Sequence, residues 1–336
     1  MRVIEGIENL PLPEQPRAVC VGALDGFHVG HQYLLSRLCA LANERDLESA
    51  IVTFEPIPAQ FFAPPTAPPR RLVTREERIA LAESLCCDLM VILRFDAEVA
   101  GWTAERFMQD VLLGGMHARL MMASSNHAMG HDHADMAAMA GIARRIGLEC
   151  IEVPLLQLGS FSVSSSQVRQ LLWEGRVEEA TALLGRHYSL VGEVVGGRGI
   201  ARELGFPTAN LVPPPEKLIP GDGVYAGIAQ VESEVGNAPA PHAVWAAAIS
   251  VGNAPTFDLG KRVIEAHILT EEPIDLTGGK LRLQFVQRLR DQQKFDSPTE
   301  LAEQIALDVK LTRELCASTA RELRRTGVFC SSEKGS

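Results

Sequence analysis

The sequence predicts two domains of different fold class: an α/β domain with a parallel sheet, followed by a small antiparallel β-barrel domain with a C-terminal helix. The chain has 336 residues, which is enough for two domains. Up to about residue 185, apolar runs alternate with amphipathic helical runs, whereas short β-rich runs separated by Gly- and Pro-rich turns follow. Alternating strands and helices are typical of a parallel sheet, and closely spaced strands without helices are typical of a barrel.

The composition predicts a cytoplasmic globular protein. Of the residues, 46% are hydrophobic and 22% are charged, and no apolar run reaches the length of a membrane span. Residues 1–17 carry acidic residues and prolines where a signal peptide has an apolar core. The net charge of −10 argues against a nucleic-acid partner, and the seven scattered cysteines are typical of reduced thiols.

The first strand–turn–helix unit carries a candidate phosphate site. Ala18–Val21 is a short buried-strand pattern, Gly22 ends it, and a turn at Asp25 leads into a helix from about His28. His28 and His31 are three residues apart, so they share one face near the helix N-terminus. Unpaired backbone N–H groups and the helix dipole favour phosphate there. The sequence therefore predicts a phosphate site, with a metal pair or two surface histidines as alternatives.

The rest of the first half continues the alternation. Four further strands are predicted at Ala50–Phe54, Leu89–Arg94, Ala118–Ala123 and Glu149–Val153. Helices are predicted after Thr74, which forms a capping box with Glu77, and over residues 104–113 and 136–145. Ligands bind at the carboxyl ends of such strands, which places residues 22–31 and 54–62 at the expected site.

A serine run marks a later helix start. Ser164, Ser165 and Ser166 precede Arg169 in the segment SSSQVR. Ser164 and Gln167 also fit a capping box, so a helix cap without any ligand is the simpler interpretation from these residues alone.

The second half has the strand spacing of a barrel. The predicted strands are Ser189–Val195, Val224–Val231, Val244–Val251, Val263–Leu269 and Lys280–Leu289. A final helix is predicted from Ser297, with Pro298 at its first position and Glu300 completing a capping box. Its apolar stripe comprises Leu301, Ile305, Val309 and Cys316, and residues 326–336 are expected to be a disordered tail.

A glycine-rich segment in this half predicts a second phosphate site. In GGRGIARELGFPTANL, Gly196, Gly197 and Gly199 allow the backbone to approach phosphate closely. Glu265 is an acidic residue inside an apolar strand. The alternation of this strand alone does not decide whether the Glu265 carboxylate faces solvent or has a function.

These segments resemble the bacterial bifunctional riboflavin kinase/FAD synthetase family. GALDGFHVGHQYLL, VTFEPIPAQFF and the serine run resemble its N-terminal module, and Arg202 to Asn210 resemble its flavokinase motif. The resemblance covers residues 1 to 318. It implies a Rossmann-like, nucleotidyltransferase-type FMN adenylyltransferase domain at 1–184 and a riboflavin kinase domain at 185–325. The expected enzyme phosphorylates riboflavin to FMN with ATP and then adenylylates FMN to FAD, with release of pyrophosphate.

The resemblance also implies roles for individual residues. Glu265 would be the kinase base, and Thr208 and Asn210 would ligate Mg²⁺ bound to ATP. His28, His31 and Arg169 would stabilise phosphate charge during adenylyl transfer. The other implied binding residues are Gly22, Asp25, Asn126, Ser164, Ser165, Ser166, Gly197, Arg202, Gly205, Pro207 and Arg290.

Departures from the family pattern favour an alternative. Leu24 and Ile57 replace family residues, and the loop at 126–130 lacks both family phenylalanines, since His127 and Met129 stand at their positions. The alternative function is a riboflavin kinase whose N-terminal site is degraded or retuned to another flavin or nucleotide. A non-catalytic flavin-binding protein is a second alternative, and the His-rich segment at 127–133 allows a metal site.

Overall fold

The computed structural model describes residues 1–10, 15–64, 70–85, 87–159, 161–196, 208–232, 243–253, 262–270 and 274–326. The chain forms two compact units, Met1–Gln167 and Val168–Ser336.

The first unit contains a six-stranded sheet whose described pairings are all parallel. The strands are β1 Arg2–Glu5, β2 Arg17–Val21, β3 Glu48–Glu55, β4 Leu89–Arg94, β5 Ala118–Ser124 and β6 Glu149–Val153. Their spatial order is β1-β4-β3-β2-β5-β6. The predicted parallel sheet is confirmed. Strand β1 was not predicted, because four residues beside a proline-rich segment give too short an alternation.

Helices connect these strands. They are α1 Val29–Glu44, α2 Pro58–Phe61, α3 Arg75–Ser84, α4 Ala97–Ala100, α5 Ala104–Arg106 and α6 Met136–Ile146. The capping box between Thr74 and Glu77 is confirmed. The helix predicted over residues 104–113 is wrong in type, because only α5 is α-helical and a π-helix continues it over Phe107–Gly115. A short hairpin of β7 Gln157–Leu158 and β8 Phe161–Ser162 precedes α7, Ser165–Trp173.

Both faces of the parallel sheet are covered, which explains why its inner strands β2, β3 and β4 are buried along almost their whole length. Successive side chains of β2 enter opposite layers. Val19 and Val21 pack in one core cluster, and Ala18 and Cys20 pack in the other. A packed core therefore lies on each face of the sheet. These two cores fix the positions of the loops that follow the carboxyl ends of the strands.

The second unit contains a closed antiparallel barrel in the order β10-β13-β12-β11-β14-β9. The strands are β9 Tyr188–Val195, β10 Thr208–Val212, β11 Gly223–Val231, β12 Val244–Asn253, β13 Arg262–Ile268 and β14 Lys280–Arg290. The predicted barrel is confirmed. Strand β10 was not predicted, because its residues were assigned to the glycine-rich segment before it.

Two helices flank the barrel in the chain, α8 Val177–Leu184 and α9 Pro298–Thr326. The Glu300 amide donates to Ser297 Oγ as predicted, but the Glu300 carboxylate accepts from the Asp296 amide, so the predicted capping box is incomplete. The buried line of α9 is Asp308, Thr312, Cys316 and Ala320. Of the predicted stripe only Cys316 is fully buried, because Asp308 takes a buried position beside Arg290.

Among the described residues, no helix is both long and apolar enough to cross a membrane. Residues 327–336, most of the expected tail, lie outside the described residues.

Candidate functional site

A cavity of about 190 Å³ lies at the carboxyl edge of the parallel sheet. Strands β2 and β5 are parallel neighbours there. From this pair the strand order runs outwards in opposite directions, with β3 and β4 on one side and β6 on the other. Such reversal points are where α/β sheets bind ligands. The lining residues come from the β2–α1 turn, the ends of β5 and β6 and the start of α7: His28, Gly30, His31, Leu34, Ser124, Asn126, Val153, Pro154, Leu155, Leu156, Val163, Ser164 and Ser165.

The two predicted histidines lie together in this cavity. His28 is the N-cap of α1, and its Nδ1 accepts a hydrogen bond from the His31 amide at 3.3 Å. An accepting Nδ1 carries no proton, so the neutral imidazole holds its proton on Nε2 and can donate it to a ligand. The two rings stack with centroids 3.6 Å apart and planes 15° apart.

Gly30 makes the stacked arrangement possible. A Cβ atom at this position would lie 3.1 Å from His28 Nδ1 and 3.5 Å from Val163 Cγ1. The first distance is tighter than an ordinary contact. Sequence reasoning did not select Gly30 as a site residue, although its place between the histidines was a usable signal.

Hydrogen bonds to buried polar groups stabilise the turn before α1. The Asp25 carboxylate accepts from the amides of Leu72, at 3.1 Å, and Val73, at 3.2 Å. The Asp25 carbonyl accepts from Ser165 Oγ at 2.6 Å. These bonds show that Asp25 and Ser165 brace the turn.

The same turn contains backbone strain. Leu24 and Phe27 have positive φ angles of 50° and 44°, which non-glycine residues rarely adopt. Both side chains are buried, at 3% and 1% exposure, and this burial holds the conformation. Arg78 also supports the turn, because its Nη1 donates to the Ala23 carbonyl at 3.1 Å. Burial lowers the pKa of Arg78, and the neighbouring Glu55 opposes that change.

Of the remaining predicted residues of the first site, some line the cavity and others lie outside its lining. Ser164 lines the cavity and accepts from the Gln167 amide at 3.2 Å, which confirms the helix cap. Asn126 also lines the cavity, and its Oδ1 accepts from Ser124 Oγ at 2.9 Å. Ser166 is exposed on α7, and Arg169 lies half-buried further along the same helix. The Gly22 amide donates to the Val52 carbonyl at 3.0 Å and extends the β2–β3 pairing.

The positions that depart from the family pattern have structural roles here. Ile57 is 2% exposed, and Met129 is 7% exposed and packs in a core cluster. In the His-rich segment, Asp132 accepts from the Ala104 amide and Asp135 caps α6. These two carboxylates therefore stabilise the N-termini of α5 and α6.

An exposed aromatic cluster at the same sheet edge was not singled out from the sequence. The rings of Phe61, Phe62 and Phe95 pack edge to face with centroids 5.3 to 5.7 Å apart. Phe62 is 67% exposed. Exposed aromatic faces suit a flat ring system, and the pair of phenylalanines after Gln60 was a usable signal.

The kinase residues predicted in the second unit share one face of the barrel. Asn210 on β10 lies directly opposite Glu265 on β13, and Glu265 lies opposite Ser250 on β12. Thr208 is two residues from Asn210 and therefore shares its face. Asn210 is buried and Glu265 is half-buried. Burial raises the pKa of Glu265, which suits a carboxylate that accepts a proton.

Arg290 has a structural partner. Its guanidinium forms a bidentate ion pair with Asp308 of α9, with Nη2 at 2.7 Å from Oδ2. The pair ties α9 to the end of β14. The predicted binding residues Gly197, Arg202, Gly205 and Pro207 lie outside the described residues.

Sequence reasoning did not select Gln292, whose side chain contacts β12 beside Ser250, on the barrel face that carries Glu265. Its Nε2 donates to Ser250 Oγ at 2.9 Å and to the Val251 carbonyl at 3.0 Å. An isolated glutamine in a polar segment gave no signal in the sequence.

Comparison with known proteins agrees with this two-part arrangement. Residues 11–167 match the family model for FAD synthetase, and residues 184–316 match the model for riboflavin kinase. Two relatives are described as bifunctional riboflavin kinase/FMN adenylyltransferase. The protein from Pseudomonas fluorescens is 31% identical and the protein from Escherichia coli (strain K12) is 32% identical, each alignment covering 95% of this chain and 99% of the relative.

A solved structure covers nearly the whole chain. It is described as a macrolide-efflux protein from Streptococcus pneumoniae and has a TM-score of 0.81 at 27% identity, over 93% of this chain and 98% of that chain. From the match of both family models and of full-length relatives, the chain belongs to the family of bifunctional riboflavin kinase/FMN adenylyltransferases.

Proposed function

We propose that the two reactions of this bifunctional riboflavin kinase and FMN adenylyltransferase take place at two separate groups of residues. One group lines the cavity at the start of α1, and the other lies on one face of the barrel. The single observation that supports this division best is the register that sets Asn210 opposite Glu265, in a unit other than the one with the histidine cavity.

In the kinase reaction, a ribityl hydroxyl of riboflavin attacks the γ-phosphorus of ATP, and ADP leaves. Glu265 accepts the hydroxyl proton, and its raised pKa brings it nearer to the working pH. Phosphoryl transfer otherwise depends mostly on positioning and charge neutralisation.

Thr208 and Asn210 are the residues that would hold Mg²⁺. A hydroxyl and an amide oxygen are hard ligands, and both lie on the face that carries Glu265. When bound with ATP, the ion neutralises phosphate charge. The two side chains fit this task, because Mg²⁺ takes six oxygen ligands and usually shares them between a few protein groups, water and substrate phosphates.

In the adenylyl transfer, a phosphate oxygen of FMN attacks the α-phosphorus of a second ATP, and pyrophosphate leaves. His28 donates from Nε2 to phosphate oxygen, since its Nδ1 is occupied by the His31 amide. His31, Ser164 and Arg169 supply further hydrogen bonds or positive charge. The FMN phosphate is itself a nucleophile, so no covalent enzyme intermediate is needed.

We place the domain boundary between residues 184 and 185. The first family-model match ends at residue 167 and the second begins at residue 184, so the two matches bracket the boundary. The end of α8 at Leu184 favours the later position, whereas the compact units divide between Gln167 and Val168. A cytoplasmic location is part of the proposal, since the substrate is ATP and the described cysteines are free thiols.

The product profile tests the proposal against a kinase-only enzyme. Purified protein incubated with riboflavin and MgATP is expected to form FMN first and then FAD with pyrophosphate. Product that stops at FMN, with added FMN also left unchanged, would favour the alternative in which the first site has lost adenylylation.

Changing Glu265 to Gln is expected to alter stability with a defined pH dependence. Burial raises the folded pKa of Glu265 above its unfolded value, so the protonated form is favoured in the folded state. The resulting stabilisation is present below the unfolded pKa and is lost as pH rises through the folded pKa. Thermal unfolding of the variant should therefore occur at a higher temperature than that of the wild type at pH 8, and the difference should shrink towards pH 4. A difference that grows towards pH 4 would contradict the raised pKa.

Phe62→Leu is expected to raise the KM for FMN in adenylylation by about threefold to tenfold. An aromatic contact contributes roughly 0.5–1.5 kcal/mol beyond its area burial, and Phe62 is the most exposed ring of its cluster. Steady-state kinetics with FMN as the varied substrate measure this effect. Phe62→Tyr is the matched control and should keep the wild-type KM; equal KM values in both variants would remove Phe62 from the flavin site.

A further inference from the structure

Two thiols in the first unit are in direct contact. Cys39 lies in α1 and Cys87 lies just before β4, and their Sγ atoms are 3.2 Å apart. Both are free cysteines in the structure. Cys87 is 3% exposed, whereas Cys39 is half-buried and has the better access to solvent.

The contact makes the two thiols chemically unequal. The hydrogen bond with Cys87 lowers the pKa of Cys39 to about 7. Ser49 adds to this lowering, and burial and Asp88 oppose it. The same hydrogen bond and burial raise the pKa of Cys87, which therefore keeps its proton. A thiolate attacks oxidants and a thiol does not, so Cys39 is the sulfur that reacts first.

A third sulfur nearby does not compete. Cys20 is fully buried on β2, and burial raises its pKa to about 12. It stays a thiol at neutral pH and is closed to solvent, so the reactive pair is Cys39 and Cys87.

We propose that Cys39 and Cys87 form a reversible oxidation site whose oxidant is hydrogen peroxide. The Cys39 thiolate attacks one peroxide oxygen, the O–O bond breaks, and the leaving oxygen departs as water after taking a proton, which gives a sulfenic acid on Cys39. The Cys87 thiol, which is neutral at rest, then gives up its proton as its sulfur attacks the Cys39 sulfur. The S–O bond breaks and a second water leaves with the Cys87 proton, which gives the Cys39–Cys87 disulfide. Two thiols lose two electrons in total, and one peroxide gains them.

This site is separate from the adenylylation residues on the same helix. Helix α1 begins after His28, and Cys39 lies in its second half. The disulfide would therefore join α1 to the segment before β4 without using any residue of the phosphate site.

Thiol counting and peptide mapping test the proposal on the full chain. After one equivalent of hydrogen peroxide, the denatured wild-type protein is expected to show five thiols in place of its seven cysteines and to lose about 2 Da. Digestion should yield one linked peptide pair that contains Cys39 and Cys87, and dithiothreitol should restore all thiols.

Three variants identify the sulfurs. Cys86→Ser is the matched control, because it removes the neighbouring thiol in the sequence and should leave the disulfide unchanged. Cys39→Ser should lose no thiol under the same treatment. Cys87→Ser should leave Cys39 without a partner, so that its sulfenic acid is trapped by dimedone or advances to the sulfinic acid with a gain of about 32 Da.

Three results would overturn the proposal. One is wild-type protein that gains oxygen at Cys39 with no linked peptide. The second is a link that is lost in Cys86→Ser, and the third is a Cys39→Ser variant that loses thiols as fast as the wild type. Circular dichroism of each variant before treatment excludes unfolding as the source of any difference.

Discussion

Replacing His28 with Asn will lower the rate of FAD formation from FMN by about 10²- to 10³-fold and leave FMN formation from riboflavin unchanged. The expected loss corresponds to removal of one positioned hydrogen-bond donor from the developing phosphate charge. His28 Nε2 is that donor, because Nδ1 already accepts from the His31 amide. Separate assays with riboflavin and with FMN as substrate measure the two rates.

Asparagine is chosen because His28 also caps α1. An Asn side chain can accept from the His31 amide and keep the cap, whereas Ala removes both the cap and the imidazole. His28→Ala is therefore expected to lose the same activity and in addition about 1 kcal/mol of stability. If the Asn variant keeps FAD formation, His28 acts only as a cap; if both reactions fail together, the division between the two units is wrong.

Glu265→Gln will lower kcat for riboflavin phosphorylation by about 10²- to 10⁴-fold, with little change in riboflavin affinity. Glutamine keeps the shape of the side chain but cannot take the proton from the ribityl hydroxyl. Adenylylation of added FMN should continue at the wild-type rate. Turnover and riboflavin binding, measured separately, distinguish a base from a binding residue.

Glu193→Gln is the matched control for this change. Glu193 is an exposed glutamate on β9 of the same barrel, so its replacement should leave both reactions intact. Equal losses of turnover and of riboflavin affinity in Glu265→Gln would contradict the assignment of Glu265 as the base.

The sequence predicted the two fold classes because its periodicities are regular over long stretches. Strands β2 and β4 are nearly continuous apolar runs, and the strands of the barrel are separated by clear turn residues. The missed strands β1 and β10 were short, and their neighbours carry proline or glycine. The π-helix after α5 could not be predicted, since its side-chain pattern is that of an ordinary helix.

The sites were predicted only in part, because local spacing reveals neighbouring residues but not partners far away in the sequence. His28 and His31 were found from their spacing, but a histidine is an unusual N-cap, so the cap itself had no signal. The partners of Asp25 and Arg290 are 47 and 18 residues away, which no local pattern reveals. These long-range bonds are the reason that both residues have structural roles which their motifs did not show.

Mixing the two impaired variants tests the central claim most directly. His28→Asn should convert riboflavin to FMN and stop there, and Glu265→Gln should leave riboflavin untouched but adenylylate added FMN. Together, with riboflavin and MgATP, they are expected to form FAD, because FMN released by one variant reaches the intact adenylylation site of the other. A mixture that accumulates FMN without FAD, or that makes no FMN, would contradict two separate active sites in this chain.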